Sequence, residues 1–309
     1  MLPYFVFDHF NIGPVRINVW GFFVGLAFVA GYFFTLYQAR KKSIPPEKIL
    51  WLSLAIFLGA GLGSRVGYLL QFPSDWLANF SLLWEFNGGG LMLWSGILGA
   101  ILGGWLYLKI IDYSSSKAEG RVEKLAFWRM ADLVAPAIVL GIGIGRLGCF
   151  LINDHLGAPT DLPWGILWPD GVVRQPVALY ESLAGFVLFL LSLLVERKII
   201  SGRRGPQWRA APSSVIPSSE PGSRILDSRF RSPRLRLVEA GGNNNYGMLF
   251  LLFLASYSAF RFLLDFLRAS SGILADPRWW GLTTSQWISL AVVIFSVFVL
   301  ILKKKNYEK

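Results

Sequence analysis

The sequence predicts an all-α polytopic membrane protein with seven transmembrane helices, an external N-terminus and a cytoplasmic C-terminus. Its 309 residues are 54% hydrophobic and only 16% charged, whereas soluble chains carry about 25% charged residues. So little polar surface cannot cover a globule in water, which excludes a cytosolic enzyme. The apolar residues are also grouped in runs long enough to cross a bilayer, and most cations lie in alternate connections between those runs.

Seven apolar runs are long enough to cross about 30 Å of hydrocarbon at about 1.5 Å per residue. The segment before them, 1–16, has no basic stretch and no small-residue cleavage site, so we expect an uncleaved amphipathic lead-in. The predicted spans are 17–38, 50–71, 89–110, 131–152, 177–195, 247–266 and 284–302.

The distribution of cations predicts the orientation of these spans. Of the 30 Lys and Arg residues, 23 lie in alternate connections and the C-terminal tail, and four lie on the opposite side. By the positive-inside rule the 23 are cytoplasmic, which puts the N-terminus outside and the C-terminus inside. Seven spans also require termini on opposite sides, so the span count and the charges agree.

Residues 201–245 differ in composition from the rest of the chain. They contain five prolines, many serines and eight arginines, with too few apolar residues to stabilise a folded core. We expect a disordered basic cytoplasmic insertion in a single membrane domain formed by 1–200 and 246–309. No folded recognition module accompanies the arginines, so we expect no nucleic-acid partner, and association with anionic membrane lipid is the simpler interpretation.

Two residue counts exclude other kinds of site. Cys149 is the only cysteine, which excludes a disulfide-stabilised secreted domain. Because His9 and His155 are the only histidines, no zinc site built from cysteine and histidine is expected. The sequence therefore predicts no metal and no cofactor.

Three arginines, Arg65, Arg146 and Arg261, lie inside predicted spans. A charge in hydrocarbon costs at least a few kcal/mol, so each needs a partner or a function. They lie 15, 15 and 14 residues beyond the predicted starts of spans two, four and six, or about 21–23 Å from the cytoplasmic side. At that depth a planar guanidinium suits the phosphate of a phospholipid in the outer leaflet.

A purely structural explanation is also open. Each arginine could pair with a carboxylate and only hold helices together, and the candidate partners are Asp132, Glu181 and Asp265. Glycines at intervals of four around Arg65 and before Arg146 favour close helix packing. These glycines are Gly59, Gly63 and Gly67, and Gly141 and Gly145.

The residues around Arg146 form an extended motif. Asp132-Leu-Val-Ala-Pro136 leads into Gly141-Ile-Gly-Ile-Gly-Arg146-Leu-Gly-Cys-Phe150. This stretch resembles the signature of bacterial prolipoprotein diacylglyceryl transferases, in which Asp-x-x-Ala-Pro precedes Gly-Arg-x-Gly-Asn-Phe. The resemblance extends over most of the chain outside the insertion. It includes Ile12-Gly-Pro14, Ser64-Arg-Val-Gly-Tyr68, the glycine-containing run 88–99, Leu179-Tyr-Glu181 and the stretch 257–268.

The resemblance implies transfer of a diacylglyceryl group from phosphatidylglycerol to the lipobox cysteine thiol in the signal peptide of a preprolipoprotein, with release of glycerol phosphate. It also implies a multi-pass protein of the bacterial cytoplasmic (inner) membrane whose active site faces the outer leaflet. We expect the arginines to bind the lipid phosphate and the aspartates to order them or take a proton. The expected catalytic residues are Arg146, Asp154, Arg261 and Asp265, and the expected substrate-binding residues are Arg65, Tyr68, Trp94, Asn153, Tyr180 and Glu181.

The chain departs from that family at five positions. Trp20 stands where a tyrosine is usual, and Asp154 and Asp265 stand where glutamates are expected. Trp94 stands where the family commonly has a histidine, and Cys149 replaces the signature asparagine. The base is therefore open: Asp154, His155 and Asp265 are candidates, or the arginines lower the pKa of the substrate thiol without one. Cys149 suits either a nucleophile or a small apolar filler. The alternatives to the implied reaction are a different acceptor, or a non-catalytic protein that binds or transports phospholipid.

Overall fold

The computed structural model describes residues 1–42, 44–71, 93–111, 127–202, 246–270 and 278–305. Helices dominate these segments, and α3 continues as a π-helical turn over Tyr107–Ile111. The helices are α1 Val19–Lys41, α2 Pro46–Gln71, α3 Leu93–Leu106, α4 Phe127–Ile152, α5 Val177–Gly202, α6 Met248–Leu264 and α7 Thr284–Lys305.

Six of these helices, all except α3, are long and apolar enough to cross a membrane. They coincide with six of the seven predicted spans, so the chain is an all-α, multi-pass membrane protein. The predicted third span, 89–110, begins outside the described residues, and its described part is the helical run from Leu93 to Ile111. Large apolar side chains point outward from the helices: Leu62, Leu98 and Leu263 are 64–68% exposed, as lipid-facing side chains are in the absence of lipid.

Short strands lie where α1 and α5 begin and α4 ends. The predicted amphipathic lead-in forms strand β1 and a hairpin of β2 and β3, in which His9 pairs with Asn18. Strand β1 runs parallel to β4, β4 is antiparallel to β5, and β6 pairs with β7 before α7. The strands are β1 Leu2–Pro3, β2 His9–Ile12, β3 Val15–Asn18, β4 Ile166–Leu167, β5 Val173–Arg174, β6 Arg278–Trp279 and β7 Leu282–Thr283.

Helices α2 and α3 pack backbone against backbone. A Cβ added at Gly99 would lie 2.1 Å from the carbonyl oxygen of Gly59, and one added at Gly63 would lie 2.4 Å from the carbonyl oxygen of Ser95. Such contacts are closer than any side chain allows, so only glycine permits this approach. The glycine pattern around Arg65 therefore serves helix packing, as its spacing predicts.

Helices α4 and α5 approach each other at a different pair of glycines from those predicted. A Cβ on Gly185 would lie 2.6 Å from the backbone nitrogen of Gly143, and the Ser182 hydroxyl donates to the Gly143 carbonyl over 2.8 Å. Gly145, in contrast, has open space where its Cβ would be. The Gly143–Gly185 contact holds the ends of the two helices together one turn before Arg146.

Asp132 joins α4 to α6 at the other end of the bundle. Its carboxylate accepts hydrogen bonds from the backbone nitrogens of Gly247 (2.6 Å) and Phe250 (2.9 Å) in the first turn of α6. Gly247 itself has a φ of 90° and supplies no side-chain cap, so a residue of another helix satisfies these helix-end donors. Asp132 is therefore not the partner of Arg146, because it lies 14 residues, about 21 Å, from Arg146 along the helix.

Candidate active site

Glu181 in the first turns of α5 holds two arginines from two other helices. Its Oε2 lies 2.5 Å from Nε of Arg146 on α4, and its Oε1 contacts Nη1 of Arg261 on α6. The Glu181 side chain is only 1% exposed, and those of Arg146 and Arg261 are 19% and 12% exposed. The two guanidinium groups that were predicted at matching depths therefore meet on one buried carboxylate.

Asp265 is a second buried carboxylate, which contacts Arg261 and Arg268. It begins the 3-10 turn that follows α6 and is fully buried. Its Oδ1 lies 3.2 Å from Nη2 of Arg261 and 3.8 Å from Nη1 of Arg268, and its Oδ2 accepts a hydrogen bond from the Thr283 hydroxyl. Arg261 lies four residues before Asp265 and Arg268 three residues after it, so the local helical turns bring both to its carboxylate. Thr283, at the end of the strand that leads into α7, adds the third contact.

Some contributors to this cluster were not predicted from the sequence. Arg268 ends the stretch 257–268 that carries the family resemblance, but no role was expected for it, and it contacts Asp265. Thr283 and Ser285 had no motif to mark them, and Ser285 accepts from Nε of Arg261 over 3.0 Å. Both belong to the beginning of α7, and a hydroxyl next to a helix start has many ordinary roles, so one sequence holds no signal that distinguishes them.

The loop after α4 approaches Arg146 with a histidine and an aspartate. Nε2 of His155 lies 2.9 Å from Nη1 of Arg146, and Nδ1 of His155 bonds the carboxylate of Asp154. The His155 ring is 17% exposed and the Asp154 side chain 39%. Burial lowers the pKa of His155, which is opposed by the Asp154 carboxylate and reinforced by nearby Arg146 and Arg268.

Asn153, the first residue after α4, has an unusual backbone and an unsatisfied side chain. Its φ is 51°, a left-handed conformation that asparagine tolerates better than most residues. The residue is 8% exposed, and its Nδ2 donor has no hydrogen-bond acceptor among the described residues. A buried amide donor next to the arginines is therefore available to a ligand.

Cys149, Asp154 and His155 form the group of potential metal ligands found in the described part of the chain. Their ligand atoms lie within 4.8 Å of one another. Nη1 of Arg146 lies 3.9 Å from Sγ of Cys149 and 2.9 Å from Nε2 of His155. A permanent cation at these distances repels a metal ion, so the surroundings of the group favour an anionic ligand instead.

The other predicted substrate-binding residues have contacts of their own. The Tyr180 hydroxyl donates to Gln175 (2.8 Å) and accepts from Trp164 (2.7 Å). On α2, the buried Arg65 guanidinium stacks over the ring of Tyr68 at 5.5 Å. Trp94 has its backbone in α3, and its side chain lies outside the described part of the structure.

The cluster brings three guanidinium groups together in a site largely shielded from solvent. Arg146, Arg261 and Arg268 surround the buried carboxylates of Glu181 and Asp265, and Asp154 at the rim reaches Arg146 through His155. Two guanidinium groups offer ten N–H donors, whereas one carboxylate accepts about four hydrogen bonds. The arrangement therefore suits a bound anion whose oxygens accept several charge-assisted hydrogen bonds.

An apolar cleft of about 350 Å³ lies next to the charged cluster, between α5 and α6. Every residue that lines it except Tyr180 is hydrocarbon or aromatic, and Phe260 directly precedes Arg261. Its lining residues are Tyr180, Leu183, Ala184, Val187, Leu188 and Phe260. A cationic cluster beside an apolar cleft matches an amphiphilic molecule with an anionic head group.

Comparison with known proteins agrees with this geometry. A model of the prolipoprotein diacylglyceryl transferase family matches residues 8–209 and 235–302. Relatives named phosphatidylglycerol–prolipoprotein diacylglyceryl transferase include one from Geobacter sulfurreducens, 30% identical over 87% of this chain and 85% of the relative. Others come from Vibrio vulnificus, 31% identical over 78% of this chain and 84% of the relative, and Pasteurella multocida, 28% identical over 94% and 87%. The chain therefore belongs to the prolipoprotein diacylglyceryl transferase family.

Proposed function

We propose that this protein transfers the diacylglyceryl group of phosphatidylglycerol to the lipobox cysteine thiol in the signal peptide of preprolipoproteins. The products are a thioether and glycerol phosphate. The observation that carries the proposal is the pair of arginines, Arg146 and Arg261, that shares the buried carboxylate of Glu181 beside an apolar cleft. The names of the relatives supply the two substrates.

In this mechanism Arg146 and Arg261 donate hydrogen bonds to the phosphate of phosphatidylglycerol. The acceptor sulfur attacks the glycerol carbon next to the phosphate ester, and the C–O bond breaks as the C–S bond forms. Negative charge then develops on the departing phosphate oxygen, where fixed guanidinium donors in a water-poor site stabilise it. Glu181 and Asp265 orient these donors before the substrate binds.

The neighbouring groups provide further contacts to the lipid. The buried Nδ2 donor of Asn153 is available to a phosphate or glycerol oxygen. The cleft between α5 and α6 suits an acyl chain, because its walls are almost entirely apolar. Tyr180, at the end of that cleft, lies where the chain meets the head group. Arg65, Tyr68 and Trp94 stay predictions as substrate-binding residues.

The same proposal includes an orientation in the bacterial inner membrane. The apolar runs give seven spans, and the 23 cations in alternate connections put the N-terminus outside and the C-terminus in the cytoplasm. The end of α4 and the beginning of α5 then lie at the outer leaflet, together with Arg146 and Glu181. Segment 201–245 becomes a cytoplasmic insertion in a single domain, which is supported by the gap between 209 and 235 in the family match.

The decisive experiment incubates the purified protein with phosphatidylglycerol vesicles and a synthetic lipobox peptide. Mass spectrometry should detect the peptide with a diacylglyceryl thioether, together with released glycerol phosphate. A peptide with serine in place of the lipobox cysteine tests whether the acceptor is a thiol. Absence of the thioether product, in a preparation in which an active relative forms it, contradicts the proposal.

A further inference from the structure

His155 is held from both sides, which determines where its proton lies. Its Nε2 faces Nη1 of Arg146 at 2.9 Å, and its Nδ1 bonds Asp154. A guanidinium can only donate hydrogen bonds, so Nε2 must be the acceptor and carry no proton. Nδ1 then carries the proton and donates it to Asp154. The ring is therefore neutral, and the lone pair of Nε2 is directed towards Arg146, the arginine proposed to bind the phosphate.

The groups around His155 act on its protonation in both directions. They are Asp154 from the same loop, Arg146 and Cys149 from α4, and Arg268 after α6. Burial lowers the pKa of the His155 ring below its ordinary value of about 6.5. The Asp154 carboxylate opposes this shift, because it stabilises the protonated ring.

We propose that His155 is the general base that removes the proton from the acceptor thiol, with Asp154 as its positioning residue. This inference rests on the proposed function. When the Arg146 guanidinium turns both Nη1 hydrogens to the lipid phosphate, Nε2 of His155 loses its present donor. The lone pair is then available to the S–H group of the acceptor at the rim of the same site.

The step balances in atoms and charge. The S–H bond breaks and its proton moves to Nε2 of His155, giving an imidazolium stabilised by Asp154. The thiolate sulfur forms the C–S bond, and the electron pair of the broken C–O bond stays on the phosphate oxygen. The imidazolium then returns its proton to the phosphate monoester or to water, which regenerates the neutral ring.

The chain contains a matched control in its other histidine. His9 also lies beside an aspartate and an arginine: its Nδ1 is 2.6 Å from Asp8 and 2.9 Å from Nη2 of Arg16. However, both partners contact the same nitrogen, and the ring is more exposed, at 36%. A histidine-to-glutamine change at this position removes a similar set of contacts away from Arg146.

The first test measures kcat and KM against pH for wild type, His155→Gln and His9→Gln. In the wild type, kcat should fall as the pH drops below the lowered pKa of His155, because protonation removes the base. His155→Gln should lose about 10²-fold in kcat at pH 6.5. Its rate should instead rise with pH towards the thiol pKa of about 8.5. The KM for phosphatidylglycerol should change little, and His9→Gln should match the wild type.

The second test replaces the acceptor cysteine with selenocysteine, whose selenol is already ionised at neutral pH. A nucleophile that needs no base should restore His155→Gln to within about threefold of the wild-type rate. This recovery would also demonstrate that the variant is folded. Asp154→Asn should move the acidic fall in kcat to lower pH, because loss of the carboxylate destabilises the imidazolium.

Three outcomes overturn the inference. One is a His155→Gln enzyme that keeps the acidic fall in kcat, and another is a defect that is equal for cysteine and selenocysteine acceptors. The third is loss of wild-type activity on chelation with recovery in Zn²⁺, because Cys149, Asp154 and His155 would then be metal ligands. Failure of the wild type to form any thioether would contradict the proposed function itself. It differs from the three outcomes above, in which the wild type is active.

Discussion

Helix α5 carries two buried glutamates, and their surroundings differ. Glu196 accepts from Nε2 of Gln38 at 2.5 Å and pairs with Nζ of Lys42 at 2.8 Å. Glu181, 15 residues and about 22 Å away along the helix, bridges Arg146 and Arg261. The first carboxylate meets one cation and one amide from α1, whereas the second meets two cations from two helices.

This difference separates a structural ion pair from a binding site. At Glu196 one negative charge meets one positive charge, so the pair is electrically complete and joins α1 to α5. At Glu181 one carboxylate is shared by two guanidinium groups, whose ten N–H donors exceed what one carboxylate accepts, so an anionic ligand is favoured there. The same residue type on one helix therefore stabilises the bundle at one end and prepares a phosphate site at the other.

The most damaging change should be the one that makes the Glu181 site resemble the Glu196 site. Arg146→Ala leaves Glu181 with one cation, Arg261, and removes the donor that faces His155. We expect a loss of about 10³-fold in kcat, because a donor to the departing phosphate is missing. Arg16→Ala, at an exposed arginine, is the control and should keep wild-type turnover. Wild-type activity in a folded Arg146→Ala protein would remove the central residue of the proposed mechanism.

The glutamates themselves allow a matched comparison. Glu181→Gln places an amide donor against guanidinium donors and should disorder both arginines, with a loss of about 10²-fold in kcat/KM. Glu196→Gln should keep activity within about twofold and lower the free energy of unfolding by about 1–3 kcal/mol. Turnover and thermal unfolding of both variants in one detergent measure the contrast. Equal losses of activity would contradict the separation of roles.

The packing of α4 on α5 gives a smaller expected effect. Gly185→Ala would put a Cβ 2.6 Å from the Gly143 nitrogen, whereas Gly145→Ala enters open space. The first variant should lose about 10-fold in kcat/KM and about 1–3 kcal/mol of stability, because the helices that carry Arg146 and Glu181 must separate. The second should match the wild type in both assays. A Gly185→Ala enzyme with unchanged kinetics would mean that the spacing of these helices does not control the site.

The smallest effect is expected from segment 201–245. In the sequence it lies between Glu196 and the residues of α6 that donate to Asp132. Replacement of 203–244 by a short Gly/Ser linker should leave kcat and KM within about twofold of the wild type. The reason is that the Asp132 carboxylate fixes the start of α6 to α4. The lipobox-peptide assay on proteoliposomes of the shortened protein measures this. A large loss of activity would assign the insertion a part in catalysis.

The helices and the paired arginines could be predicted because each depends on local composition. Apolar runs predicted seven spans, six of which are helices of membrane-spanning length in the described residues. Counting residues along the spans put Arg65, Arg146 and Arg261 at one depth, and Arg146 and Arg261 do meet on Glu181. The identity of the contacts depends on which helices become neighbours, which spacing alone does not determine. For this reason the sequence favoured Gly141 and Gly145, while the close approach uses Gly143. Thr283 and Ser285 were missed for the same reason.

The two hydrogen bonds from α6 to Asp132 have a consequence for how the chain tolerates variation. Without them, a helix that follows a long segment is free to slip along its neighbours, and a slip of one turn would carry Arg261 about 5.4 Å away from Glu181. Such a slip would remove both amide partners from the Asp132 carboxylate at once. Asp132 therefore fixes the position of α6 along α4, so that insertions before α6 can change in length while Arg146 and Arg261 stay at the same depth.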